Sequence, residues 1–145
     1  MDITVIKMYS MKPYQNELLE RLIKLSSDII RMSKSNRYGN IDKVVLNQLT
    51  RSSLAPTLMY SEATAAESLD DFIHKMSLAL KELRETKSCV RVMISISDSH
   101  DLIERWTKIL EETDQLVAIF SRSVHTSIER KKSQHNIFWI FKINF

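Results

Sequence analysis

Residues 68–94 read SLDDFIHKMSLALKELRETKSCVRVMI. Leu69, Phe72, Ile73, Met76, Leu80, Leu83, Val90 and Ile94 recur mostly at helical spacings of three and four. That is the period of one helix face; a half-buried strand would repeat every second residue. Ser68 followed by Asp70 and Asp71 predicts where the helix begins. A serine hydroxyl can cap the first free amides, and acids favour the positive end of the helix dipole. Asp71 precedes Lys75 by four residues, the order that supports an ion pair on the exposed face. The run Ser97-Asp98-Ser99-His100-Asp101 interrupts the pattern with cap-forming residues.

The same reading extends in both directions. Downstream, Leu102, Ile103, Trp106, Ile109, Leu110, Leu116, Val117, Phe120 and Val124 form another stripe, with Glu104 four residues before Lys108. Upstream, a helix starting near Ile41 carries Val45, Leu46, Leu49, Leu54, Leu58 and Met59. Pro56 lies inside it and is expected to kink or divide it, because proline lacks an amide donor and crowds the preceding turn. A first helix starting near Pro13 carries Leu18, Leu19, Leu22, Ile23, Leu25, Ile29 and Ile30. The polar stretch Ser33 to Asn40, which holds the only glycine, Gly39, separates these two. Four amphipathic segments joined by short polar breaks predict an all-α, antiparallel up-down-up-down four-helix bundle over residues 1–128. Residues 129–145 form a basic and aromatic tail outside it. Its run Asn136 to Phe145 is rich in aromatic and β-branched residues and shows no helical period, which leaves a strand or a partner-docking segment open.

Composition limits the chemistry. One glycine in 145 residues excludes Gly-rich phosphate loops and dinucleotide fingerprints. One cysteine excludes an internal disulfide and a thiolate zinc site, and an unpaired thiol fits a reducing compartment, so a cytoplasmic location is expected. No segment is apolar for the length a membrane helix needs, and Met1 to Ser10 is too polar for a secretory signal. The net charge is +3. Arg130, Lys131, Lys132 and Lys142 of the tail, set against Glu129, account for all of it, so the body is neutral.

The stretch Arg51 to Thr86 resembles a family of small four-helix-bundle proteins encoded by intervening sequences in bacterial 23S rRNA genes. Arg51, Ser52, Tyr60, Glu62, Ala63, Ala66, Glu67 and Ser68 stand in register with the family pattern, followed by Asp71 to Lys75, Ala79 to Glu82, Glu85 and Thr86. The chain departs from the pattern at Met59, Ser61 and Cys89, where the family usually has Asn, Arg and Trp. The resemblance implies a homo-oligomer, commonly a pentameric ring, with no established enzymatic activity. A distant relative serves diversity-generating retroelements, with a basic ring placed against RNA and reverse transcriptase.

Candidate sites follow from these readings. Arg51, Tyr60, Glu62, Lys81, Glu82 and Glu85 are expected to form a polar seam that fixes helix packing or subunit contacts. Glu82 and Glu85, three apart, are read as a salt-linked cluster in preference to a general-acid pair. The basic residues Lys75, Arg84, Lys87, Arg91, Arg130, Lys131 and Lys132 are the candidates for a nucleic-acid contact, the alternative being a solvated surface. No catalytic residue, cofactor or metal is expected. A di-iron bundle needs two Glu-x-x-His motifs, whereas Asp71 to His74 is one related motif without a second copy. Cys89 reads as a small buried hydrophobe and Trp106 as core. The expected function is therefore non-catalytic interaction or scaffolding with copies of itself, with an RNA or ribonucleoprotein partner as the alternative.

Overall fold

The structure is a computed structural model that describes residues 13–34 and 42–143, the side chains of 42 and 135–143 excepted. The N-terminal Met1 to Ser10, the stretch around Gly39 and the tail's aromatic side chains lie outside the described residues. Four helices account for nearly all of the rest: α1 (Pro13–Ser33), α2 (Asp42–Thr64), α3 (Leu69–Ile96) and α4 (His100–Ile143). Among the described residues there is no strand. None of these helices is long and apolar enough to cross a membrane.

Each helix packs on its two neighbours in the order α1–α2–α3–α4, and α1 closes the ring on α4. Side-chain pairs fix the antiparallel directions. Ser33 meets Thr50 while Ser26 meets Thr57. Lys87 meets Asp114 while Asp70 meets Lys131. The fold is thus an all-α four-helix bundle. Its core is the union of the four stripes: Leu18, Leu22, Leu25 and Ile29 from α1; Leu46 and Leu49 from α2; Met76, Leu83, Val90 and Met93 from α3; Trp106, Leu116 and Phe120 from α4. No stripe can leave water alone; each is buried only by the other three.

Helix starts follow the chemistry read from the sequence. Ser68 is extended (φ −147°, ψ 164°), and its hydroxyl accepts from the Asp71 amide at 3.1 Å. Ser68→Ala should lower stability by about 1 kcal/mol, read as a fall in the thermal midpoint, whereas Ser68→Asp should hold it.

Two expectations change. Pro56 does not divide α2, which is one helix from Asp42 to Thr64. Its side chain is buried, so the ring that removes an amide donor also contributes apolar surface. In the tail the strand alternative does not hold: the backbone of α4 stays helical to Ile143 without a break at residue 128. Adding a residue to an existing helix is far easier than nucleating one. Around the junction Lys132 pairs with Glu129 at 2.9 Å, and Lys131 reaches Asp70 at the start of α3 at 2.7 Å. At 1.5 Å per residue α4 outruns α3 by about 24 Å.

Candidate functional site

Among the described residues no hydrogen bond or ion pair joins the six residues read as one polar seam to one another. Arg51 and Lys81 are exposed and make no ion pair with a described carboxylate. Glu62 is exposed; its charge helps to raise the Lys75 ammonium pKa, after the dominant hydrogen bond to Asp71 and the weaker opposing effect of burial. Glu82 is half-buried, and Glu85 accepts a hydrogen bond from Gln48 of α2. Tyr60 points inward. It is 4% exposed, with its ring edge-on to Phe120 at 5.7 Å and 62°. Burial, aided by the nearby Tyr14, pushes its hydroxyl pKa up to about 12.

The polar contacts that do join the helices are hydroxyls. Ser26 of α1 lies 2.7 Å from the Ser53 carbonyl of α2 and 3.3 Å from the Thr57 hydroxyl. Thr86 of α3 lies 3.1 Å from the Ser52 hydroxyl and 2.9 Å from its own helix carbonyl at Glu82. Ser52, Ser53, Thr86 and Thr113 are almost completely buried. A serine or threonine can satisfy its hydroxyl on a carbonyl one turn back, so it can face a core at little cost. The available signal was positional: Thr86 falls between Leu83 and Val90 on the same stripe.

The strongest ion pair lies on the α1–α4 side. Arg21 Nε donates to Glu112 Oε1 at 2.8 Å and Nη2 to Oε2 at 3.0 Å, and Nη2 also reaches Gln115 at 2.9 Å. The hydrogen bond to Glu112 is the main cause that holds the guanidinium pKa above its ordinary value. Beside this pair, α1 and α4 leave a groove of about 450 Å³ with Met32, Leu102 and Ile109 among its lining and Lys24, Arg31, Arg105 and Lys108 around it. Each of these four cations is held by a carboxylate of its own helix.

Of the seven candidate nucleic-acid contacts, four lysines are already engaged. Lys75 pairs with Asp71 at 2.8 Å and Lys87 with Asp114 at 2.7 Å, while Lys131 and Lys132 pair with Asp70 and Glu129. Arg84, Arg91 and Arg130 are exposed with no such partner among the described residues. Lys81, Arg84 and Arg91 fall on one outer face of α3, spanning about 15 Å.

Asp71, committed to Lys75, leaves the exposed His74 without a second ligand beside it. Among the described residues no group of three or more His, Cys, Asp or Glu side chains could hold a metal ion. The Cys89 thiol is half-buried, and its pKa is raised first by burial and then by the nearby Glu85 charge. A thiol held in its neutral form is a poor nucleophile.

Outside the core, α2 exposes Val44, Leu54 and Leu58, and α3 exposes Val92 and Ile96.

No protein-family model matches the chain, and no curated protein matches it. Among solved structures it is similar to a crystal structure from Bacteroides thetaiotaomicron, described as a protein with unknown function from the S23 ribosomal protein family. The TM-score is 0.66 at 23% sequence identity, over 77% of this chain and 97% of that one. At that identity the likeness is one of fold: the chain has the four-helix architecture of that S23-family protein.

Proposed function

We propose that the chain is a non-catalytic interaction module that assembles with copies of itself, as the sequence resemblance to the 23S rRNA intervening-sequence family implies. The observation that carries this reading is the set of aliphatic residues that α2 exposes on its outer side, where Arg51 and Glu62 are exposed beside them. Val44 is 74% exposed and Leu58 56% exposed, with Leu54 between them. Leu54 and Leu58 stand one turn apart, and neighbouring exposed aliphatic residues of this kind suit a contact with another copy. A closed ring buries the same face on every copy and leaves none to grow.

Light scattering tests it. The full chain should have a mass several times 17.0 kDa, five times on the family's pattern. Leu54→Glu with Leu58→Glu should reduce it to the mass of one chain while the helical signal stays unchanged. A wild-type mass of one chain at every concentration would sink the proposal.

A second reading rests on Lys81, Arg84 and Arg91, whose charges no described carboxylate neutralises. Such a row suits a phosphate backbone, and binding through it must weaken steeply with salt. Adding bulk RNA to the same light-scattering experiment decides it. A salt-sensitive mass increase that Arg84→Ser with Arg91→Ser removes supports RNA; no increase at low salt excludes it.

A further inference from the structure

All four helices line a second, partly open cleft at the end of the bundle where α1 begins, α2 ends and α3 begins. It has a volume of about 230 Å³. Leu18 of α1, Phe72 and Met76 of α3 and Ile119 of α4 supply an apolar wall, and Ser123 of α4 and Tyr60 of α2 add hydroxyls. Tyr14, 63% exposed, stands at the mouth. An apolar cavity of about 150 Å³ in a bundle-like core is enough to admit a benzene ring.

The polar content is what makes this space specific. Tyr60 is more than nine-tenths buried, its ring is fixed against Phe120, and no hydrogen bond among the described residues reaches its hydroxyl. A buried hydroxyl without a partner carries the full cost of its desolvation, and an acceptor brought to it recovers that cost. The group is a donor at neutral pH, as any phenol is, and burial extends that range further into alkali. Thr64, also in the lining, already directs its own hydroxyl to the Ser61 carbonyl at 2.8 Å. Among the described residues no cation lines the space, so none of them would replace the hydration that a carboxylate or phosphate loses there.

We infer that this cavity is a binding site for a small neutral molecule with an apolar or aromatic body and one hydrogen-bond acceptor, such as a ketone or ester carbonyl, which takes the Tyr60 hydroxyl. Apolar surface supplies most of the affinity; Gln15 and Ser123 also line the cleft, but the Tyr60 hydroxyl is the deeply buried one and supplies the selection. The inference is independent of self-assembly, since the residues that carry it face inward and not along the outer face of α2.

The test uses two probes of nearly the same shape, acetophenone and ethylbenzene, titrated into the full chain and followed by the methyl shifts of Met76 and Ile119. Acetophenone should bind saturably with a dissociation constant of about 0.1–10 mM. Ethylbenzene should bind about fivefold more weakly, the worth of one hydrogen bond. Tyr60→Phe keeps the ring and removes the donor; it should abolish the preference and leave ethylbenzene binding unchanged. The inference is overturned if neither probe saturates. It is equally overturned if the wild type binds both alike, or if the preference for acetophenone survives in Tyr60→Phe.

Discussion

Phe120→Ala is expected to lower folding stability by about 3–5 kcal/mol. The ring is fully buried in α4, where it meets the edge of Tyr60 from α2. The loss has two sources: the transfer energy of the ring, and the void left because four packed helices relax only partly. A domain of this size holds about 5–15 kcal/mol in total, so much of its margin would go. Urea denaturation should show the change in midpoint with little change in slope, and the thermal midpoint should fall by about 10 °C. Val124→Ala, one turn further along α4 and only half-buried, should cost about 1 kcal/mol. Equal losses at the two positions would mean that the core does not centre where the helices cross.

That contrast shows which parts of the fold were legible in the sequence. Helix existence and starts were readable because their signals are local. Ser68 caps α3, and the break at Ser97 to Ser99 separates α3 from α4. Asp71–Lys75 and Glu104–Lys108 form the ion pairs their spacing predicts. Facing was less readable wherever apolar residues surround a helix. Leu54 and Leu58 sit in the apolar pattern of α2 yet face outward, while Ser52 and Ser53 beside them face inward. A period says that a face exists, but a sequence that places aliphatic residues on two faces does not say which one meets the core. If the outer face is a subunit contact, both faces are buried in the assembly and the ambiguity has a physical cause.

Sites between helices were the least legible. The bond from Arg21 to Glu112 joins residues 91 apart, and nothing in either local sequence points to the other. The six-residue seam was a grouping of residues along the sequence, and in three dimensions Tyr60 turns inward while Arg51 and Glu62 turn out. The tail misled for a different reason. Its composition suits a strand, but strand propensity depends on packing against a sheet, and the described residues offer none. A helix already running from His100 simply continues.

The buried Tyr60 hydroxyl should make itself known in alkaline solution. Its pKa is raised from 10.0 to about 12 in the fold, chiefly by burial. A raised folded value means that the native state holds its proton where the unfolded chain releases it. The contribution is therefore complete below about pH 10 and is lost as pH rises toward 12. At about 1.36 kcal/mol per unit, the wild type should lose close to 2 kcal/mol from this group by about pH 11.5. Other groups titrate in the same window: the Lys75 and Lys108 pKa values are raised, chiefly by hydrogen bonds to Asp71 and Glu104. Their pairs loosen over this range too, so the wild-type curve alone cannot assign the loss. Tyr60→Phe keeps those lysines and the contact with Phe120 and removes one titrating proton. Urea midpoints of the two proteins, compared from about pH 8 to 11.5, should diverge above about pH 10, with the variant the more stable. Near neutral pH the variant should equal or exceed the wild type, because it no longer buries a hydroxyl without a partner. A hydroxyl that held helices together as part of a polar seam would give the reverse at neutral pH, a variant clearly weaker than the wild type. Parallel curves across the range would mean that water reaches the hydroxyl freely, and an acceptor entering the cleft would then have to displace that water to take it.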